Sequence, residues 1–141
     1  EVKYIDAFID FQQMGMENKS NVIFEKNIKN HNFMIPPMIL QPLVENSFKH
    51  SRVVNDPKGF VHFYLLQENN DLIFIARNSI KEMSVSIADE NKKPRSGIGL
   101  ENVKNRLELY YLNKYFFEAK QEGSTYVVTI KIGDIINEKK V

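Results

Sequence analysis

Residues 35–50 of this 141-residue chain read IPPMILQPLVENSFKH, and the fold class is decided around this stretch. Proline is well placed in the first turn of a helix, so the sequence predicts a helix from about Pro37 to Ser51. Pro42, inside that span, is expected to kink its early part. At 100° per residue, one stripe of this helix collects its apolar side chains and a serine: Leu40, Leu43, Val44, Ser47 and Phe48.

The opposite side of this helix carries Glu45, Asn46, Lys49 and His50. One interpretation is an ordinary solvated polar face, and the other is a site for phosphate and metal. An asparagine oxygen can ligate Mg²⁺, and lysine and histidine can meet phosphate charge. A carboxylate can act as a base or orient a nucleophile. These residues taken alone leave both interpretations open.

The elements around this helix follow from hydrophobic periodicity and turn residues. Further helices are predicted over residues 2–18 and about 100–113, and a strand over 21–28. Two hairpins are predicted, Phe60–Leu66 with Leu72–Arg77 across a five-residue loop, and Phe116–Lys120 with Thr125–Ile132. This pattern predicts an α+β fold, a two-layer sandwich. A mixed, mostly antiparallel sheet of about five strands would be covered on one face by three helices.

The composition fits one globular domain over residues 1–133, followed by a polar tail over 134–141. The chain is 43% hydrophobic, and its net charge of +1 gives no indication of nucleic-acid binding. The absence of cysteine excludes disulfides and thiolate metal sites. No apolar run approaches the ~20 residues that span a bilayer, so no membrane contact is expected from these residues. Because the chain starts at Glu1 inside a helical pattern, we expect it to be a piece of a longer protein.

Two other stretches have possible chemical roles. Ser96-Gly97-Ile98-Gly99-Leu100 opens a predicted helix, where glycines can expose backbone N–H groups to an anion or simply make a turn. It matches neither the Walker pattern nor the dinucleotide fingerprint. Asn78 ends a predicted strand beside the long polar stretch 80–95. It could make a specificity contact or an Asx turn.

Taken together, the three stretches resemble the catalytic domain of LytS-type sensor histidine kinases, over about residues 1–132. That domain has the Bergerat ATP-binding fold of the gyrase, heat-shock-chaperone, histidine-kinase and MutL superfamily. Residues 43–50, LVENSFKH, look like the family's N box, and residues 97–107, GIGLENVKNRL, look like its second glycine box. The prolines before the N box and Tyr110-Tyr111 also match.

The resemblance implies a role for each matching residue. Asn46 would ligate the Mg²⁺ that bridges the phosphates, and Glu45 would orient or activate the attacking group. Lys49 and His50 would lie near the phosphates or ribose. The backbone of residues 97–100 would wrap the triphosphate, with Gly97 and Gly99 permitting its approach and Ile98 and Leu100 beside them. The stretch 80–95 would be the ATP lid.

The chain departs from the family pattern in three places. Where the first glycine box places Asp-X-Gly, this chain has Asn78-Ser79-Ile80. An asparagine can still accept from the adenine amine, and by flipping its amide it could tolerate guanine, so a weaker preference for ATP over GTP is expected. Gln13-Met14-Gly15-Met16 lacks an arginine that relatives often carry. No phosphoacceptor motif surrounds His31, His50 or His62.

The resemblance implies an enzyme, a protein histidine kinase domain that binds Mg-ATP. It would donate the γ-phosphoryl to a histidine on an upstream dimerisation domain. The implied partners are that domain, a second copy in the full-length homodimer and a response regulator of the LytTR type. The implied location is the cytoplasmic side of a bacterial inner-membrane protein. Two alternatives remain open: a degenerate nucleotide-binding or dimer-signalling domain without kinase activity, and an ATP hydrolase of the same fold.

Overall fold

A computed structural model of the chain describes residues 1–29, 34–80 and 97–133. Residues 81–95 of the predicted ATP lid, the predicted polar tail and His31 lie outside these residues. The described elements are listed in chain order: α1 (Val2–Gln13), a short 3₁₀ turn (Lys19–Asn21), β1 (Val22–Asn27), α2 (Gln41–Ser51), β2 (Val61–Glu68), β3 (Asp71–Ser79), α3 (Gly97–Tyr110), β4 (Tyr115–Glu122) and β5 (Thr125–Ile132). Within the described ranges, no helix is long and apolar enough to cross a membrane.

The five strands form one sheet in the order β1-β2-β3-β5-β4. β1 and β2 run parallel, with α2 in the connection between them. The other neighbouring strands are antiparallel. This arrangement confirms the predicted mixed, mostly antiparallel sheet.

One face of the sheet is packed against the helices. In β2 and β3, alternate residues are buried, which is the period-2 pattern of strands with one covered face. The Phe63 ring stacks on Phe74 at 6.2 Å between centroids and packs on Phe48 of α2 at 6.0 Å. All three helices add fully buried side chains to this core, which confirms the prediction of helices on one face: Ile5, Leu43, Val44, Val103 and Leu107.

The start of α2 differs from the prediction. The helix begins at Gln41 rather than near Pro37, because Met38 has a left-handed backbone with φ of 67° that a regular helix does not accept. Pro42 therefore falls in the first turn, where its missing N–H has no intrahelical partner to lose. The expected kink at Pro42 was wrong for this reason.

Other boundaries also shift. The first hairpin turns over Asn69-Asn70 instead of a five-residue loop, with Asn69 in the left-handed region at φ 55°. Helix α1 stops at Gln13, before the side chain of Asn18 caps the 3₁₀ turn. Helix α3 starts at Gly97, so the glycine box is part of its first turn rather than a loop before it.

Candidate functional site

The three sequence stretches meet at a gap between α2, the sheet and the start of α3. The gap has a free volume of about 10 Å³, close to the space that one water molecule needs. Its lining combines the N box, the glycine box, the end of β3 and β5: Leu43, Asn46, Ser47, His50, Asn78, Leu100, Tyr126 and Val128. Residues more than twenty positions apart in the chain are thus brought together. We call this the base-side gap, because the resemblance implies that Asn78 contacts the adenine base.

Asn46 connects the N box to the glycine box. A Cβ atom added to Gly99 would lie 2.9 Å from Nδ2 of Asn46 and 3.7 Å from its Oδ1. Real Cβ atoms essentially never come so close to another heavy atom, so only glycine allows this approach without displacing the amide. The half-buried Asn46 side chain therefore lies at the first turn of α3. A solvated polar face does not describe its surroundings.

Asn78 lies inside β3 and is only 2% exposed. It pairs with Val61 on β2 and Tyr126 on β5, so the Asx-turn alternative was wrong. Its Nδ2 donates a hydrogen bond of 2.9 Å to the carbonyl oxygen of Ser79. This bond leaves Oδ1 as the atom of the amide that can accept from a ligand in the gap.

The residues after Asn78, where the family pattern has a glycine, continue the pairing of β3 with its neighbours. The Ser79 hydroxyl accepts a hydrogen bond of 3.0 Å from the N–H of Phe60. The Ile80 N–H donates to the carbonyl of Ser124 at 2.9 Å. Because the end of β3 is tied to β2 and to the β4–β5 turn, the Asn-Ser-Ile sequence continues the strand pairing instead of making a glycine turn.

His50 forms part of the wall of the base-side gap, whereas Lys49 is exposed and does not line this gap. Burial lowers the pKa of His50 below its ordinary value of 6.5, and the charge of Lys49 lowers it further. The imidazole is therefore neutral at pH 7. It can donate or accept a hydrogen bond near a ligand, but it does not supply a positive charge.

Glu45 opens onto a different space from Asn46. A cavity of about 470 Å³ lies between the start of α2 and α3, and its lining residues are all different from those of the base-side gap. We call it the outer cavity, and its lining is Met38, Pro42, Glu45, Gly99, Asn102, Asn105, Arg106 and Leu109. Oε1 of Glu45 accepts hydrogen bonds from the Tyr4 hydroxyl at 2.6 Å and from Nε2 of Gln41 at 3.3 Å. The bond to Glu45 raises the pKa of the Tyr4 hydroxyl.

The sequence did not identify Tyr126, Arg106 or Tyr4 as site residues. Tyr126 shares its strand face with Val128 and Ile130, so the alternation of β5 could have placed it toward the helices. Burial raises the pKa of its phenol, which keeps it neutral beside Asn78. Tyr4 and Arg106 had no comparable signal, because each reaches the site across a contact between separate elements.

A scan of protein-family models finds no match to this chain. The sensor histidine kinase YpdA of Escherichia coli strain K12 is 29% identical over 114 residues, 79% of this chain and 20% of the relative. The sensor protein LytS of Streptococcus mutans is 23% identical over 146 residues, covering 95% of this chain and 25% of the relative. The chain thus spans a fifth to a quarter of the length of these curated relatives.

The fold has solved counterparts. The catalytic domain of the histidine kinase ThkA superposes with a TM-score of 0.60 at 13% identity, covering 94% of this chain and 89% of that one. At this identity the match establishes the fold alone. The sequence relatives are sensor histidine kinases, which is the family that the motifs resemble. The chain therefore has the fold of a histidine kinase catalytic domain and is similar over most of its length to the LytS-type sensor histidine kinases, as its motifs predicted.

Proposed function

We propose that this chain is the catalytic domain of a sensor histidine kinase, which binds Mg-ATP and donates the γ-phosphoryl group to a histidine on an upstream domain. The observation that carries the proposal is the convergence at the base-side gap. Asn46, Asn78 and Leu100 come from three separate stretches and line one space. The relatives and the fold support the same function.

The buried end of β3 is the proposed base site. Oδ1 of Asn78 would accept from the exocyclic amine of adenine, because Nδ2 is already bonded to Ser79. Leu100, Tyr126 and Val128 would provide apolar walls for the ring, and neutral His50 would lie toward the sugar. Since the gap has room for about one water, its walls would have to separate when a nucleotide enters.

The first turn of α3 is the proposed phosphate site. The backbone N–H groups at a helix N-terminus face an anion with the positive end of the dipole, and residues 97–100 form this turn. Among the described residues, no group of three or more His, Cys, Asp or Glu could hold a metal. The side-chain amide of Asn46, which lies beside Gly99 at this turn, would supply one oxygen ligand to a Mg²⁺ held mainly by phosphate oxygens and water. When bound, Mg²⁺ would neutralise phosphate charge during transfer.

Phosphoryl transfer depends mostly on positioning and charge neutralisation, and little on covalent chemistry by the protein. Glu45 would orient the attacking histidine at the outer cavity, which it lines together with Gly99. Lys49 would reach the phosphates from outside the gap. Residues 80–95 are proposed as the lid that closes on the nucleotide.

The proposed partners follow the same model. The acceptor histidine would lie on a dimerisation domain that precedes residue 1, and the full-length protein would be a homodimer. The phosphate would pass on to a response regulator, which we propose is of the LytTR type. The domain would work on the cytoplasmic side of a bacterial inner membrane.

A thermal-unfolding titration tests nucleotide binding directly. With Mg-ATP at 100 times its Kd, the free energy of unfolding should rise by about 2.7 kcal/mol. ATP with EDTA in place of Mg²⁺ is the control and should give a smaller rise. If millimolar Mg-ATP changes nothing, the proposal is wrong and the degenerate alternative is favoured, in which the closed gap and the Asn78-Ser79-Ile80 sequence leave only a signalling role.

A labelling experiment tests the direction of transfer. The 141-residue chain should not label itself from ATP, and a helical segment carrying the acceptor histidine should become labelled when it is added. Strong self-labelling at His31, His50 or His62 would contradict the assignment of the acceptor to another domain.

A further inference from the structure

Helix α1 contacts helix α2, which carries the N box, through the side chain of Tyr4. The Tyr4 hydroxyl donates a hydrogen bond of 2.6 Å to Oε1 of Glu45. The Tyr4 ring stacks on Phe8 at 6.2 Å between centroids, and Phe8 packs edge-on against Phe48 of α2 at 5.5 Å. The Tyr4 ring is 41% exposed and is connected to α2 through Phe8, while its hydroxyl reaches Glu45 directly.

Glu1, one helical turn before Tyr4, binds the start of α2. Its two carboxylate oxygens accept from the backbone N–H groups of Ile39, Leu40 and Gln41 at 2.9, 2.8 and 3.0 Å. Helix α2 has no side-chain cap from its own N-cap residue and no acidic residue in its first turn. An anion bound to these N–H groups stabilises a helix, so Glu1 supplies from another element the cap that α2 lacks.

We infer that Tyr4 and Glu1 are positioning residues: Glu1 sets the first turn of α2, and Tyr4 holds the carboxylate of Glu45 in place at the outer cavity. The inference rests on the proposed function of Glu45. Residues at i and i+3 lie on one face of a helix, so both act from the same side of α1. Both described hydrogen bonds to Glu45 end on Oε1, and Glu45 lines the outer cavity, so Oε2 is left to accept from a group that enters this cavity.

The functional test compares two tyrosines that each donate to a glutamate. Tyr4→Phe removes the hydroxyl and keeps the ring. Tyr115→Phe is the matched control, because the Tyr115 hydroxyl donates a hydrogen bond of 2.5 Å to Oε2 of Glu108 and neither of these residues lines either cavity. With the upstream segment supplied, Tyr4→Phe should leave Mg-ATP affinity within about twofold and slow single-turnover phosphotransfer about tenfold, an effect of ~1.4 kcal/mol. Tyr115→Phe should change neither.

A double-mutant cycle shows whether Tyr4 acts through Glu45. Tyr4→Phe combined with Glu45→Gln should be no slower than Glu45→Gln alone, since the hydroxyl then has no carboxylate to hold. Phosphotransfer by Tyr4→Phe at the parental rate would overturn the inference. It would also be overturned if the rate loss of the double variant equalled the product of the two single losses, because the residues would then act independently. A parent that binds Mg-ATP but never labels the supplied segment would instead overturn the proposed function.

The role of Glu1 is tested without any activity measurement. Glu1→Gln retains one accepting oxygen, and Glu1→Ala retains none. Amide hydrogen exchange at residues 39–41 should quicken modestly in the first variant and strongly in the second, while exchange in β3 stays as in the parent. Unchanged exchange at residues 39–41 in Glu1→Ala would refute the cap even if the kinase proposal holds.

Discussion

The two sides of helix α2 differ in how they are built. On one side, Asn46 lies at a closed gap whose walls are strands of the central sheet and Leu100. On the other side, Glu45 faces an outer cavity of about 470 Å³ between helices. The first is lined partly by the paired strands β3 and β5, whereas the second is lined by residues from the start of α2 and from α3, with Glu45 also bonded to α1. Neighbouring residues 100° apart on one helix thus have different surroundings.

This difference has a consequence for the proposed reaction. The base would be recognised on the sheet side, where Asn78 is buried and its amide nitrogen is already bonded. The transferred group would be handled on the helix side, where Tyr4 and Glu1 act across the α1–α2 contact. Variants on the sheet side should therefore change affinity, and variants on the helix side should change rate.

The largest effect is expected for Asn46→Ala. Removing the proposed metal ligand should weaken Mg-dependent ATP binding about 100-fold or more, since a bond to a charged partner contributes ~1.5–3 kcal/mol and the metal is lost with it. The half-buried amide should contribute less than about 1 kcal/mol to the free energy of unfolding. Isothermal titration with and without Mg²⁺, together with urea unfolding, measures both.

Asn105→Ala is the matched control for Asn46→Ala, because Asn105 is an exposed asparagine that lines only the outer cavity. It should leave nucleotide affinity unchanged. An equal loss in both variants would mean that the nucleotide occupies both sides of α2. Unfolding of the domain by Asn46→Ala would mark the amide as structural.

Asn78→Ala should weaken ATP binding by roughly tenfold, within the ~1–3 kcal/mol of a buried hydrogen bond.

GTP should bind less well than ATP to the parent, because a flipped amide would point Oδ1 at the Ser79 carbonyl and lose the bond of 2.9 Å. This geometry opposes the weaker ATP preference that the sequence led us to expect. Asn78→Asp should destabilise the fold, since a buried carboxylate cannot donate to that carbonyl. Equal ATP and GTP affinities in the parent would contradict the assignment.

Two glycines separate a structural contact from a functional one. A Cβ at Gly59 would lie 2.8 Å from Cα of Val53 and 2.9 Å from the Ser51 carbonyl, and backbone atoms yield little. Gly59→Ala should therefore lower the free energy of unfolding by ~1–3 kcal/mol without changing nucleotide affinity. An added Cβ in Gly99→Ala meets only side-chain amide atoms of Asn46, so the variant should leave stability nearly unchanged and weaken Mg-ATP binding severalfold. If both variants lost stability and affinity alike, Gly59 and Gly99 could not be assigned separate structural and functional roles.

The smallest effect is the dependence of stability on pH. Burial lowers the pKa values of His50 and His62 from 6.5, with further lowering by Lys49 and Arg77 respectively, and Glu25 partly opposes the shift of His62. The unfolded chain then binds protons more readily, so stability is fully present above pH 6.5 and falls as the pH drops below that value. Thermal unfolding at several pH values should show this decline. His50→Gln and His62→Gln together should flatten it, and an unchanged slope would assign it to other groups.

Features encoded in local sequence were predicted well. The β-forming residues of Phe60–Leu66 identified a strand, and the stripe of Leu43, Val44 and Phe48 identified the buried side of α2, because both are properties of neighbouring positions. Element ends were less well predicted. The left-handed backbone of Met38, which moved the start of α2, has no signature in residue type.

The sequence by itself determined the fold class, the resemblance to histidine kinases and the candidate residues, since periodicity and short motifs are properties of neighbouring positions. Only the tertiary structure decided which cavity each polar residue faces. The helical wheel placed Glu45 and Asn46 on one polar side, yet they line different cavities. Glu1 and Tyr4 reach α2 across about forty residues, and such contacts depend on how separately formed elements pack, which no local pattern records.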